Sequence, residues 1–154
     1  MLVIYRIQGG KHVADIAFEG VSKTYRVGEI EIPAVDHVDF TVRHGEFAVV
    51  LGPSGAGKTT VLNLLGGMDR ATSGKIFVGG RDIVPLSEKE LNAYRRFDVG
   101  FVFQFYNLMP TLTALENVEL AQQVCKKPLS PAETLERVGL KHRMNNFPAQ
   151  LSGG

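Results

Sequence analysis

The stretch Gly52-Pro53-Ser54-Gly55-Ala56-Gly57-Lys58-Thr59 has the spacing G-x-x-x-x-G-K-[ST], that of a loop built to hold phosphate. Its residue types define the chemistry. Glycines at 52, 55 and 57 permit backbone conformations and close approaches that a Cβ forbids. Loop amides and the start of the next helix then face an anion together. Lys58 supplies positive charge for β- and γ-phosphates, and the Thr59 hydroxyl a ligand for Mg²⁺. Pro53, Ser54 and Ala56 complete the loop, and Thr60 carries the binding segment into the helix. A dinucleotide turn is the competing reading, but Gly55 and Gly57 leave Thr60 where a third glycine belongs. The residues point to a nucleoside triphosphate.

A phosphate loop needs a strand before it and a helix after it. Residues 46–51 (E-F-A-V-V-L) are apolar at successive positions, as in a strand covered on both faces. Residues 60–65 (T-V-L-N-L-L) suit a helix packed on a sheet. Further strands are expected at 14–21, at 35–42, where Val38, Phe40 and Val42 alternate with polar residues, and at 99–103. Gly79-Gly80 between residues 75–78 and 81–84 signals a two-residue hairpin. Three helix starts share one device: Ser87, Thr113 and Ser130 each precede a glutamate by three positions, the pattern of a reciprocal capping box. Pro131 sits at the tolerated first position, and Gly139 is placed to stop the third helix.

Composition narrows the class. The chain has 154 residues, 44% of them hydrophobic, with 17 Lys+Arg against 16 Asp+Glu and a net charge of +1. The length fits one domain. The near-neutral balance argues against a nucleic-acid partner, which calls for a basic excess. The single cysteine, Cys125, offers no internal disulfide. The longest apolar runs, Met1 to Tyr5 and Phe47 to Leu51, fall far short of the ~18 residues of a membrane span. A cytoplasmic chain is expected, with any membrane role coming through a partner.

Two further features join the loop. Gln104 ends the apolar strand at 99–103, and Leu151-Ser152-Gly153-Gly154 closes the sequence. With Tyr25 upstream in V-S-K-T-Y, the ensemble resembles the ATP-binding subunits of ABC transporters from about Val13 onward. The stretch R-R-F-D-V-G-F-V-F-Q-F-Y-N-L-M-P-T-L-T-A-L-E-N-V, Arg95 to Val118, is similar to the branch serving lipoprotein-releasing and macrolide-export permeases. The resemblance implies an α/β P-loop NTPase fold, with a RecA-like core sheet, an N-terminal antiparallel β subdomain and a partial α-helical subdomain. It implies one ATP-binding domain over 1–154: residues 13–104 as β subdomain and phosphate-loop core, 105–154 as helical subdomain up to the signature.

It also implies roles. Tyr25 stacks on adenine. Gln104 contacts Mg²⁺ and the attacking water, and with Lys58 forms the catalytic set present here. Leu151, Ser152, Gly153 and Gly154 form the signature that grips ATP held by a partner ATP-binding subunit, in a homodimer or a paired assembly. Residues 105–113 face a membrane permease, so the subunit sits peripherally on the inner (plasma) membrane and couples ATP hydrolysis to export or to lipoprotein or lipid extraction. In this family an apolar strand ending in Asp-Glu and a switch histidine follow the signature; neither is found here. The chain is therefore expected to be an incomplete domain lacking C-terminal core strands, with only background ATP turnover. Two alternatives remain: an ABC-type ATPase without a permease, and a non-hydrolysing nucleotide-binding fragment. Residues 1–12 lie outside the resemblance.

Overall fold

The computed structural model describes residues 2–5, 15–103, 107–125 and 127–151. The chain divides into two compact units, Met1–Val102 and Phe103–Gly154.

The first unit is built on a four-stranded antiparallel sheet. β2 (Ile16–Val27) and β3 (Ile30–Val42) form a long hairpin, and β4 (Ser73–Val78) and β5 (Arg81–Asp82) a short one, in the order β3-β2-β4-β5. The turn at Gly79-Gly80 forms as expected, with both residues at positive φ and Val78 paired with Arg81. The β2–β3 hairpin is longer than the alternation predicts. Val27 pairs with Ile30 across Gly28-Glu29, with Gly28 at φ +61°, so the ladder continues through Tyr25 and Ile32.

Helix α1 (Lys58–Leu65) lays Val61, Leu64 and Leu65 into the core with Phe18, Val21 and Ile76. Leu91 and Tyr94 of α2 (Glu88–Phe97) close that core, and the buried Tyr94 hydroxyl donates to the Leu65 carbonyl at 2.7 Å. β4 enters the sheet against the bulged middle of β2. Gly74, at φ +87°, passes so close there that a Cβ would lie 2.5 Å from the Gly20 carbonyl oxygen.

One strand expectation is corrected. Residues 46–51 form no strand, and Phe47 and Leu51 are 83% and 85% exposed. Their composition favours extension, but no described strand pairs with them, and a strand without a ladder does not persist. The strand at 99–103 does form, as β6 (Val99–Val102), and its partner is β1 (Leu2–Tyr5), antiparallel, with Leu2 opposite Val102.

The second unit carries α3 (Ala114–Gln122), α4 (Pro131–Arg137) and two 3₁₀ turns, Lys141–Arg143 and Pro148–Gln150. Two of the three capping boxes form in full, at Ser87 with Glu90 and at Thr113 with Glu116. The third keeps only its serine half: the Glu133 amide donates to Ser130 Oγ at 3.4 Å. Gly139 ends α4 at φ +77°, as the sequence predicts. The buried Asn117 ties one loop together. Its Oδ1 accepts from the Met109 amide at 2.8 Å, and its Nδ2 donates to the carbonyls of Met109, Leu112 and Thr113 at 3.2, 3.0 and 2.9 Å. An Asn117→Ala substitution leaves this backbone without its partner. A destabilisation of about 1–3 kcal/mol is expected, read as a lowered denaturation midpoint with unchanged slope.

Candidate functional site: a phosphate loop beside an aromatic side chain

The candidate site lies in the first unit, where the loop at 52–57 runs into α1. Gly57 is the cap residue, at φ +78°, in the left-handed region. A Cβ there would fall within van der Waals distance of the Ala34 carbonyl oxygen and 3.3 Å from Val35 Cγ2. The loop is thus seated on β3 at a point where only glycine fits. No side chain caps α1 and no acidic residue occupies its first turn. Its free amides and the positive end of its dipole are not answered by protein charge, the condition for an anion site.

Lys58 reaches back across the loop, and its Nζ donates to the carbonyls of Gly52 and Pro53 at 2.9 and 2.6 Å. Its ammonium therefore lies in the loop's own curve. Thr59 is exposed, one position on, and Thr60 is half-buried. The Ala56 amide closes a turn on the Pro53 carbonyl at 3.3 Å. The loop residues expected to bind phosphate are contiguous and sit together on one helix start.

Tyr25, on β2, is 38% exposed. Its hydroxyl donates to Asp69 Oδ2 at 2.8 Å, and Lys23 Nζ lies 4.8 Å from its ring centroid. Burial and the Asp69 carboxylate push the phenol above its usual range, with Thr60 and Lys23 acting in the opposite sense. Asp69 follows α1, and its amide donates to the Asn63 carbonyl of that helix at 3.3 Å, so the Tyr25–Asp69 bond ties the tyrosine to the later half of α1. The structure places Tyr25 beside the turn that follows the phosphate-loop helix.

Lys23 and Asp69 were not legible as site residues. Lys23 Nζ donates to Asp69 Oδ1 at 2.6 Å and to the Arg70 carbonyl at 2.9 Å. Burial opposes ionisation of Asp69, but bonds from Lys23, Tyr25 and the Arg70 amide hold its carboxyl below the usual range. The one available signal was the i, i+2 spacing of Lys23 and Tyr25, which puts both on one face of a strand. The adjoining cleft also holds Arg70 and Arg95. Arg70 bonds the Leu86 carbonyl and Glu88, while Arg95 bonds the Gly67 carbonyl and Asn92. These cations are structural ties rather than an anion site.

Leu151 follows the Pro148–Gln150 turn in the second unit. Gln104, Ser152, Gly153 and Gly154 lie outside the described residues. Among the described residues no group of three His, Cys, Asp or Glu side chains is placed to hold a metal, and no helix is long and apolar enough to cross a membrane.

A glycine-seated loop opening a helix against a sheet, with lysine and threonine at its first positions, defines an α/β nucleotide-binding protein of the P-loop NTPase type. Residues 35–154 match the ABC transporter family. The chain belongs to that family. It is 44% identical over 139 residues to an uncharacterised ABC transporter ATP-binding protein of Thermotoga maritima, covering 87% of this chain and 59% of that one. It is 42% identical over 154 residues to the lipoprotein-releasing system ATP-binding protein LolD of Xanthomonas campestris pv. campestris, covering 97% and 64%. Among solved structures it resembles the dimeric ATP-binding cassette MJ0796 in a post-hydrolysis state bound to ADP and Pi, at TM-score 0.77 and 38% identity over 90% of this chain and 63% of that one. The chain thus spans less than two thirds of the length of these relatives.

The seat of Gly57 yields a comparison. Gly55, at φ +82°, has open space where a Cβ would go, whereas Gly57 meets β3. Both alanine variants carry backbone strain of about 1–3 kcal/mol, but only Gly57→Ala must also push the loop off Ala34. Gly57→Ala is expected to lose more thermal stability than Gly55→Ala, read as the difference between their Tm values.

Proposed function

We propose that this chain is the nucleotide-binding part of an ATP-driven transport subunit, working with a membrane permease. The observation that carries this reading is the shared platform of Gly57, Lys58, Thr59 and Tyr25: a phosphate cradle and an aromatic ring on adjoining elements. Adenine stacks on Tyr25, the β- and γ-phosphates meet Lys58 and the loop amides, and Thr59 offers its hydroxyl to Mg²⁺. One protein hydroxyl suits this ion, which keeps several waters and takes its remaining ligands from substrate phosphates. When bound, Mg²⁺ neutralises phosphate charge; the chain's own residues hold and orient the nucleotide.

Gln104 is assigned to the Mg²⁺ shell and attacking water, and Leu151, Ser152, Gly153 and Gly154 to the γ-phosphate held by a partner subunit. The dimeric assembly of MJ0796 supports that division of labour. The lipoprotein-releasing relatives support a permease that extracts or exports lipidated or apolar cargo, which would keep the subunit peripheral to the membrane. The 154 residues supply binding groups, and no apolar run ending in Asp-Glu is present among them.

Two measurements test this. Lys58→Ala removes a charge facing phosphate, about 1.5–3 kcal/mol, and should weaken ATP far more than adenosine. Tyr25→Ala removes one stacking face, about 1–3 kcal/mol, and should weaken both ligands alike. Calorimetric titration of each variant with each ligand checks the pair; equal losses of ATP and adenosine in Lys58→Ala would remove the phosphate-loop assignment. In sedimentation, a non-hydrolysable ATP analogue should drive the intact protein to dimers, and ADP, lacking the γ-phosphate, should not.

A further inference from the structure

We propose that Asp69 is a positioning residue for nucleotide recognition, fixing the Tyr25 ring against the phosphate-loop helix before a base arrives. This rests on the reading that Tyr25 receives adenine. An aromatic side chain at a strand surface rotates freely unless something holds its far end. Here the hydroxyl is held by a carboxylate at 2.8 Å, a charge-assisted bond roughly twice as strong as a neutral one.

The carboxylate is itself immobilised. Its Oδ1 accepts from Lys23 Nζ at 2.6 Å and from the Arg70 amide at 2.7 Å, leaving Oδ2 for the tyrosine. The backbone of Asp69 is fixed in turn, because its amide and that of Met68 donate to the Asn63 carbonyl at 3.3 and 2.9 Å. Asn63 lies on α1. The chain of contacts therefore runs from the helix that carries Lys58 and Thr59, through Asn63 and Asp69, to the Tyr25 oxygen.

Lys23 contributes twice. It balances the Asp69 charge, and its ammonium lies 4.8 Å from the Tyr25 ring centroid, within cation–π range. The tyrosine is held at its hydroxyl and against one cation, and the holding groups come from β2 and from the turn after α1. A ring ordered in advance spares the ordering cost that a loose one incurs on binding. That cost is specific to the base: the phosphates are bound by the loop and do not touch this tie.

The test uses the intact protein, titrated with ATP, adenosine and inorganic triphosphate. Asp69→Ala should weaken ATP and adenosine by about 2- to 10-fold, the ordering cost of one side chain, and leave triphosphate unchanged. Tyr25→Phe, which deletes the hydroxyl, should reproduce that loss, and adding Asp69→Ala to it should cost nothing more. Asp69→Asn keeps one acceptor oxygen where two are used and loses the charge, so it should restore only part of the affinity. Equal loss of triphosphate in Asp69→Ala, or an undiminished loss in the Tyr25→Phe background, would mean that Asp69 acts through the fold and would overturn the proposal. So would wild-type adenosine affinity in Asp69→Ala while Tyr25→Ala binds adenosine poorly, an outcome that leaves the stacking reading standing. Wild-type adenosine affinity in Tyr25→Ala overturns both.

Discussion

The close approach of Gly57 to the Ala34 carbonyl is the constraint on which the first unit turns. A left-handed residue without a Cβ lets the loop end against β3 and begin a helix at once. The helix then runs on with Val61, Leu64 and Leu65 buried against Phe18 and Ile76. A side chain at 57 would lift the helix start from the sheet and loosen both the core and the cradle. The same hairpin that supplies Ala34 carries Tyr25: Lys23 pairs with Val35 and Tyr25 with Ile32. One two-stranded ribbon thus provides the seat for the phosphate loop and the ring beside it.

The upstream flank of the loop is held very differently. Residues 46–51 bring large apolar side chains to the loop without a ladder to any strand among the described residues. What positions the cradle here is its downstream end, through Gly57, the α1 core contacts and the tie from Asn63 through Asp69 to Tyr25. The groups nearest the helix are accordingly the ones with defined partners: Lys58 on two loop carbonyls, and Tyr25 on Asp69.

Features whose causes are local could be read from the sequence. Gly79-Gly80 makes its turn, Ser87 and Thr113 make their boxes with the glutamates three residues on, and Gly139 stops its helix. The phosphate loop was legible for the same reason, since its chemistry is contiguous. What escaped depends on partners distant in sequence. Residues 46–51 have strand composition, but a ladder needs a neighbour, and composition does not supply one. Leu2–Tyr5 pairs with Val99–Val102 across almost a hundred residues. Asp69 reads as one polar residue after a glycine turn until folding brings it to Lys23 and Tyr25, 46 and 44 positions away. The extended hairpin is the exception. Val27 and Ile30 around Gly28-Glu29, with Tyr25 and Ile32 alternating with Arg26 and Glu31 on either side, are a local turn signal carried by the sequence itself.

The second unit is organised more by backbone satisfaction than by apolar burial. The first amides of α3, which a helix cannot satisfy internally, reach outside it: Ala114 donates to the Asn146 carbonyl at 2.9 Å and Leu115 to the Met144 carbonyl at 3.0 Å. Asn117 then pins the approach to α3 at Met109, Leu112 and Thr113. The result is a loop with a fixed backbone whose large apolar side chains, Leu108 and Met109, remain exposed. Apolar groups on a fixed backbone bind with little further ordering. On the proposed function this loop is the face that meets the permease. On that reading, the buried asparagine presents Leu108 and Met109 on a backbone already held in one shape.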